Sequence, residues 1–253
     1  MDYFVSIDNT PYERWQIELL IESFKMHKLQ DYLCIAVAEN NTTQYADYTK
    51  NLKNHKRKIQ HNNFQEKNNL YSLIACLENN IIRQPFVLLK PHMILYKPVE
   101  EGPDTIICNV IDDVSPEIKI ELQNKLPQAH KIPYPGDLLI FKNCPTRFFH
   151  KIAMKIGENI HEELAWLLTM QEYYDFITYG TGQIEMPMIY GGMDMPIINY
   201  KHGYPSKFQR MHYQFNKALQ LGSDPIEDLL RINLTPPPTE YMQEVAKNYK
   251  KNK

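Results

Sequence analysis

The side chains able to do chemistry gather at breaks between apolar runs. The clearest break is Lys90-Pro91-His92, which separates Phe86–Leu89 from a second apolar run, Met93 to Tyr96, that closes on Lys97-Pro98. Lys90 offers a fixed positive charge, and His92 offers a ring that can donate a hydrogen bond or ligate a metal. Phe86–Leu89 has the length and bulk of a central parallel strand. Polar residues at the carboxyl end of such a strand stand where open α/β sheets bind their ligands. Asp8 and Asn9 end the first apolar strand, Tyr3 to Ile7, and so meet the same condition. There they suit a nucleotide base or ribose, although Asp8 would serve equally as a helix-capping residue. Lys67-Asn68-Asn69 opens a helical stretch, and a helix N-terminus favours phosphate; simple capping by Asn68 is the alternative.

The elements that must position these groups follow a βαβ pattern. Thr10 is an N-cap, Pro11 suits the first helical position, and Glu13 completes a capping box. Trp15, Leu19, Leu20, Ile21 and Phe24 then recur at helical spacing, which makes Trp15 a core residue rather than a site residue. Tyr32 to Ala38 reads as the next strand, which implies a parallel sheet with a right-handed crossover. Asn40 to Asn69 is polar and basic and reads as a solvated loop or exposed helix face. A helix over Leu70–Leu77 leads to Phe86, and Thr105–Val110 is another strand. Pro133 to Gly136 reads as a turn before the strand Leu138–Phe141. Phe148–Ile156 and Glu162–Phe176 read as helices, Tyr179–Gly203 as a glycine-rich loop, and Thr239–Lys247 as a last helix before a frayed lysine tail. Acidic Glu162 and Glu163 in a first helical turn complement the helix dipole.

A chain of 253 residues with 43% hydrophobic and 23% charged residues can bury an adequate core as one domain. The net charge of −2 argues against a nucleic-acid coat protein, without excluding a local basic patch. Cys34, Cys76, Cys108 and Cys144 lack ligand-like spacing and read as buried free thiols of a reducing, cytoplasmic compartment. No apolar run approaches the roughly 18–20 residues of a membrane span. The Asn-, Lys- and Ile-rich composition is what an AT-rich microbial or viral genome would give.

Several segments, in order, resemble plant hydroxyproline O-arabinosyltransferases and peptidyl-serine galactosyltransferases. Ser6 to Gln16 is similar to their opening motif, and Leu88 to Pro98 to the segment carrying their acidic metal triplet. Ala165 to Met170, Pro196 to Gly203 and Leu234 to Pro238 match further segments. The resemblance implies a GT-A-like (Rossmann-type) α/β fold, with a mostly parallel sheet flanked by helices in a single domain. It implies residues 1–110 as a nucleotide-sugar-binding half, 111–235 as an acceptor half, and 236–253 as a C-terminal helix and tail. The implied activity is transfer of a sugar from a nucleoside diphosphate sugar, of the UDP type, to a hydroxyl.

Two departures matter. The family's Glu-Pro-Asp triplet falls on Lys90-Pro91-His92, and its late histidine falls on Asn199, with His202 nearby. Three accounts stay open. Lys90, helped by Lys67 or Lys201, replaces the charge of a metal, so none is needed. His92, His202 and Asp194 hold a softer metal such as Mn2+ or Zn2+. Or the site is silent, and the fold binds a glycan or a protein partner. The donor-binding set is then Asp8, Asn9, Lys67, Asn68, Lys90, His92 and Lys201, with Glu162 or Glu163 as the base facing the acceptor hydroxyl. Acceptors in view are a glycan precursor and a hydroxymethylated DNA base. A nucleotidyltransferase is a further reading, but it requires paired carboxylates for Mg2+, and the adjacent acidic pair Asp112-Asp113 reads as a loop.

Overall fold

In the computed structural model, described for residues 1–8, 11–39, 56–60, 65–100, 106–111, 120–121, 124, 134–158, 160–173, 177–179, 184–185, 197–199, 224, 226–227, 230 and 237–252, one sheet runs through the chain. Its first strands are β1 (Asp2–Asp8), β2 (Leu33–Glu39), β3 (Lys56–Gln60) and β4 (Phe86–Leu89). The later strands are β5 (Met93–Leu95), β6 (Ile106–Ile111), β7 (Tyr134–Phe141), β8 (Ile177–Tyr179), β9 (Ile184–Glu185) and β10 (Ile197–Asn199). The helices are α1 (Pro11–Met26), α2 (Gln65–Glu78), α3 (Thr146–Gly157), α4 (Glu162–Glu172) and α5 (Pro237–Lys251).

The seven-stranded sheet has the order β3-β2-β1-β4-β7-β6-β8, and a small second sheet has the order β5-β10-β9. Every strand of the large sheet is parallel to β1 except β7, which is antiparallel to both neighbours. Strand alternation sorts the core into two faces. Tyr3, Val5, Ile7, Val87 and Leu89 pack under Ile17, Leu20 and Phe24 of α1. Phe4, Cys34, Ala36 and Phe86 pack with Leu70 and Leu73 of α2 and with Phe148, Phe149 and Ala165 of α3 and α4. A third layer forms outside α1, where Trp15, Leu19 and Ile94 meet Met242, Val245 and Ala246 of α5. Cys34, Cys76 and Cys144 are buried free thiols, and burial pushes Cys144 up to about 12, so it stays protonated and inert.

The structure corrects several expectations. The basic stretch before α2 contains an edge strand, β3, rather than loop or helix alone. An edge strand has one flank to satisfy, and charged residues keep the other from pairing with a foreign strand. The expected turn over Pro133–Gly136 is instead the start of β7, whose residues from Tyr134 are paired with β6. There β4 pairs only with Leu139, Ile140 and Phe141, so Pro135 falls where one flank of the ladder is open. The segment expected as a loop over Tyr179–Gly203 holds β9 and β10. The helix starting at Glu162 ends at Glu172, short of Phe176. The last helix begins at Pro237 and continues through most of the supposed lysine tail, to Lys251.

α1 stops where Lys28 enters the left-handed region at φ 58°, and the Leu29 N–H closes on the Phe24 carbonyl at 2.9 Å. This brings His27 against α5, where its Nε2 lies 3.0 Å from the Tyr241 hydroxyl. Burial lowers the His27 pKa, against the carbonyls of Tyr96 and Leu95, which raise it. The folded protein therefore binds a proton at His27 less readily than the unfolded chain. Stability from this group is complete above the ordinary histidine value of 6.5 and is lost as pH falls below it and through the lowered folded-state value. We expect the melting temperature to decline on acidification from about pH 7.5 to 5.5, and His27→Gln to flatten that slope. An unchanged slope in the variant would assign the decline to other groups.

Candidate functional site

β4 and β1 are parallel neighbours, with Val5 opposite Leu89, so their carboxyl ends open at the same edge of the sheet. Beyond Leu89 the chain makes a tight turn, Lys90-Pro91-His92-Met93. The Met93 N–H donates to the Lys90 carbonyl at 3.1 Å, and Pro91 supplies the fixed φ that such a turn wants at its second position. The Lys90 N–H points at the Met93 thioether, 3.3 Å away. His92 is buried at 6% exposure, whereas Lys90 is partly exposed. Among the described residues no carboxylate pairs with the Lys90 ammonium. A partly buried ammonium of this kind favours an anion brought in by a ligand.

The turn is fixed from behind. Met93 and Leu95 enter the sheet-side core under α1, while Ile94 faces α5. The Leu95 N–H donates to Ser23 Oγ at 3.0 Å, and that hydroxyl donates to the Leu20 carbonyl at 2.7 Å. Tyr241 donates its O–H to the Leu95 carbonyl at 2.8 Å, and the Val99 N–H donates to the Tyr3 hydroxyl at 3.0 Å. Burial raises the Tyr3 pKa, so the phenol remains neutral.

β10 pairs antiparallel with β5, and Asn199 stands opposite Met93, next to His92. Two segments about a hundred positions apart in the sequence thus meet at the turn. Lys201, His202 and Asp194 lie outside the described residues, as do Asn9 and the Asp112-Asp113 pair. Asp8 is the last residue of β1 and stands at the same edge as the turn, while Lys67 and Asn68 lie in the first turn of α2. α2 follows the parallel strand β3 and packs back along β1 and β2, so its N-terminus is at that edge too. The side chains of Asp8, Lys67, Asn68 and Glu163 are not among those described. Glu162 is partly buried at the start of α4. Its helix packs on α3 and, through Trp166, on Phe141, which pairs with the opposite end of β4 from Lys90. The structure therefore groups Asp8, Lys67, Asn68, Lys90 and His92 at one edge by backbone position and sets Glu162 on a neighbouring helix.

One polar group at this edge was not singled out from the sequence. Ser6 precedes Ile7-Asp8 on β1, shares the sheet face of Phe4 and α2, and is 8% exposed. Its Oγ is buried without a hydrogen-bond partner among the described residues. In the sequence it is one hydroxyl inside an apolar strand, and only its lack of a partner in the fold marks it out. The metal test is set by the donor chemistry. Mn2+ and Mg2+ favour oxygen ligands. The turn presents an ammonium, a proline and an imidazole, and among the described residues no group of three His, Cys, Asp or Glu could hold an ion. These residues do not fit a hard divalent cation.

No family model matches the chain, and no curated protein matches it. Solved structures do. The galactosyltransferase LgtC, in complex with donor and acceptor sugar analogues, matches over 98% of this chain and 95% of its own, at TM-score 0.51 and 11% identity. An active-site mutant of LgtC gives TM-score 0.52 and 12% identity over the same shares. The glycosyltransferase GlyE of Streptococcus pneumoniae matches over 99% of this chain and 62% of its own, at TM-score 0.48 and 10% identity. At these identities the likeness is one of fold: a single mixed α/β domain of the GT-A type, with a mostly parallel sheet flanked by helices. No helix among the described residues is long and apolar enough to cross a membrane.

A buried hydroxyl with no partner costs about 1–3 kcal/mol. Ser6→Ala should therefore stabilise the ligand-free protein, raising its melting temperature by about 2–4 °C for each kcal/mol recovered. A fall in melting temperature would mean that the hydroxyl is already bonded.

Proposed function

We propose that the chain is a glycosyltransferase, which moves a sugar from a nucleoside diphosphate sugar of the uridine type to a hydroxyl of an acceptor. The observation that carries this reading is Lys90, an ammonium without a carboxylate partner among the described residues, set at the carboxyl edge of β4 and β1 in a GT-A fold. Ligands of open α/β sheets bind at that edge. The resemblance to the plant arabinosyl- and galactosyltransferases supports the same assignment through its ordered motifs. In this reading Asp8 and Asn9 meet the base and ribose, and Lys67 and Asn68 at the N-terminus of α2 meet a phosphate. His92 donates to phosphate or ribose, and Lys201 supplies a second positive charge.

The acceptor oxygen forms a bond to the anomeric carbon as that carbon's bond to the diphosphate oxygen breaks. The electron pair leaves on the nucleoside diphosphate, and the acceptor proton passes to a carboxylate, Glu162 or Glu163. Charge builds on the departing diphosphate, so a fixed cation beside it helps the transition state more than the ground state. We assign that task to Lys90, because the donor set at the turn does not fit a metal.

Purified protein incubated with a panel of nucleotide sugars should release the nucleoside diphosphate from one of them, and EDTA should leave the rate nearly unchanged. Lys90→Ala should lower it by about a hundred- to a thousandfold, equivalent to about 3–4 kcal/mol, and His92→Ala should cost less. Abolition by EDTA with rescue by Mn2+ would replace this account with one built on His92, His202 and Asp194. Good binding with no release from any donor would make the protein a binder.

A further inference from the structure

We infer that Tyr241, on the C-terminal helix, is a positioning residue for the donor site. This inference rests on the proposed function, because it names what holds the Lys90–Met93 turn in place. On its entry side the turn is held by β4, a strand of the large sheet. The turn continues into β5, a strand of three residues, and short strands of this kind hold their place through their neighbours. On one side β5 pairs with β10. On the other, its last residue is held by two groups from different elements. Ser23 of α1 accepts from the Leu95 N–H, and Tyr241 of α5 donates to the Leu95 carbonyl at 2.8 Å.

A phenol has one proton, and here it is given to Leu95. The 3.0 Å contact with His27 Nε2 must then be made by an Nε2–H that donates to the Tyr241 oxygen. Burial lowers the His27 pKa and raises that of Tyr241, so both stay neutral and the order of donation is preserved. Tyr96, the next residue along, meets the Tyr241 ring edge-on with centroids 4.9 Å apart. The hydroxyl thus joins three segments of the chain: the turn that follows α1, β5 and α5. It ties α5 to the strand that leads out of the candidate site.

The same helix supplies a matched control. Tyr249 donates to Glu18 Oε2 at 2.5 Å, so it also ties α5 to α1 through a phenol, but this bond ends on α1 rather than on the Leu95 carbonyl. If Tyr241 only stabilised the fold, Tyr241→Phe and Tyr249→Phe would act alike. If it positions the turn, they separate.

The experiment compares the full-length wild type with the two variants by hydrogen exchange of peptides covering residues 90–96, by thermal melting, and by calorimetric titration with UDP. We expect Tyr241→Phe to speed exchange in that segment about tenfold and to weaken UDP binding by a similar factor. Tyr249→Phe, at comparable loss of melting temperature, should leave both unchanged. Equal effects of the two variants, or unchanged UDP affinity in Tyr241→Phe, would overturn the positioning role. If the wild type binds no UDP, the proposed function falls, and the exchange comparison alone then decides whether Tyr241 holds the turn. His27→Phe, which removes the donor to Tyr241, should reproduce the exchange change at reduced size; no change would also count against the relay.

Discussion

The parallel pairing of β4 with β1 is the constraint on which the site depends. Two parallel neighbours end at the same edge, so backbone pairing alone sets Asp8 and Lys90 at one edge of the sheet. The register leaves no slack, because Val5 lies opposite Leu89 and both are buried under α1. A one-residue slip would turn Val87 and Leu89 out of that core and Leu88 into it. The crossovers finish the arrangement. β1 reaches β2 through α1 and β3 reaches β4 through α2, so the N-terminus of α2 arrives at the edge where the strands end.

β5 is where this frame becomes a site. Its alternation sends Met93 and Leu95 to the sheet and Ile94 to α5, so a three-residue strand is buried on both faces. It costs backbone hydrogen-bonding groups that need partners, and these come from β10, Ser23 and Tyr241. The order of dependence is clear. The large sheet sets where the turn lies, and α1 and α5 set how firmly it is held. Lys90 then stands partly exposed and His92 buried at the end of this frame.

What was legible in the sequence follows the same division. Tyr3–Ile7 is buried on both faces and Phe86–Leu89 nearly so, with Leu88 partly buried, and such runs read as parallel strands with little competition. The place of Lys90 and His92 was legible because it depends only on where β4 stops. β3 was not, because Lys56–Gln60 carries one apolar residue, Ile59, and an edge strand needs no more. Pro133 to Gly136 carries strong local turn signals, but the strand tolerates them where β4 no longer pairs. β9 and β10 are too short for a period to show, and they exist because β5 offers a ladder to pair with. Least legible was the fastening of β5. Tyr241 and Leu95 are 146 positions apart, and nothing in either neighbourhood points to the other. Ser6 is a similar case, since an unpartnered hydroxyl is a property of the fold and not of the residue.

The central claim is that a nucleoside diphosphate sits at the carboxyl ends of β1 and β4 with its charge met by Lys90. The most direct measurement is a crystal structure with UDP bound, grown in the presence of EDTA. The account predicts the diphosphate within hydrogen-bonding distance of Lys90 Nζ, about 2.7–2.9 Å, and the nucleoside running toward Asp8. A diphosphate bound elsewhere, or one that enters this edge only when Mn2+ is supplied and bridged by carboxylates, would contradict it.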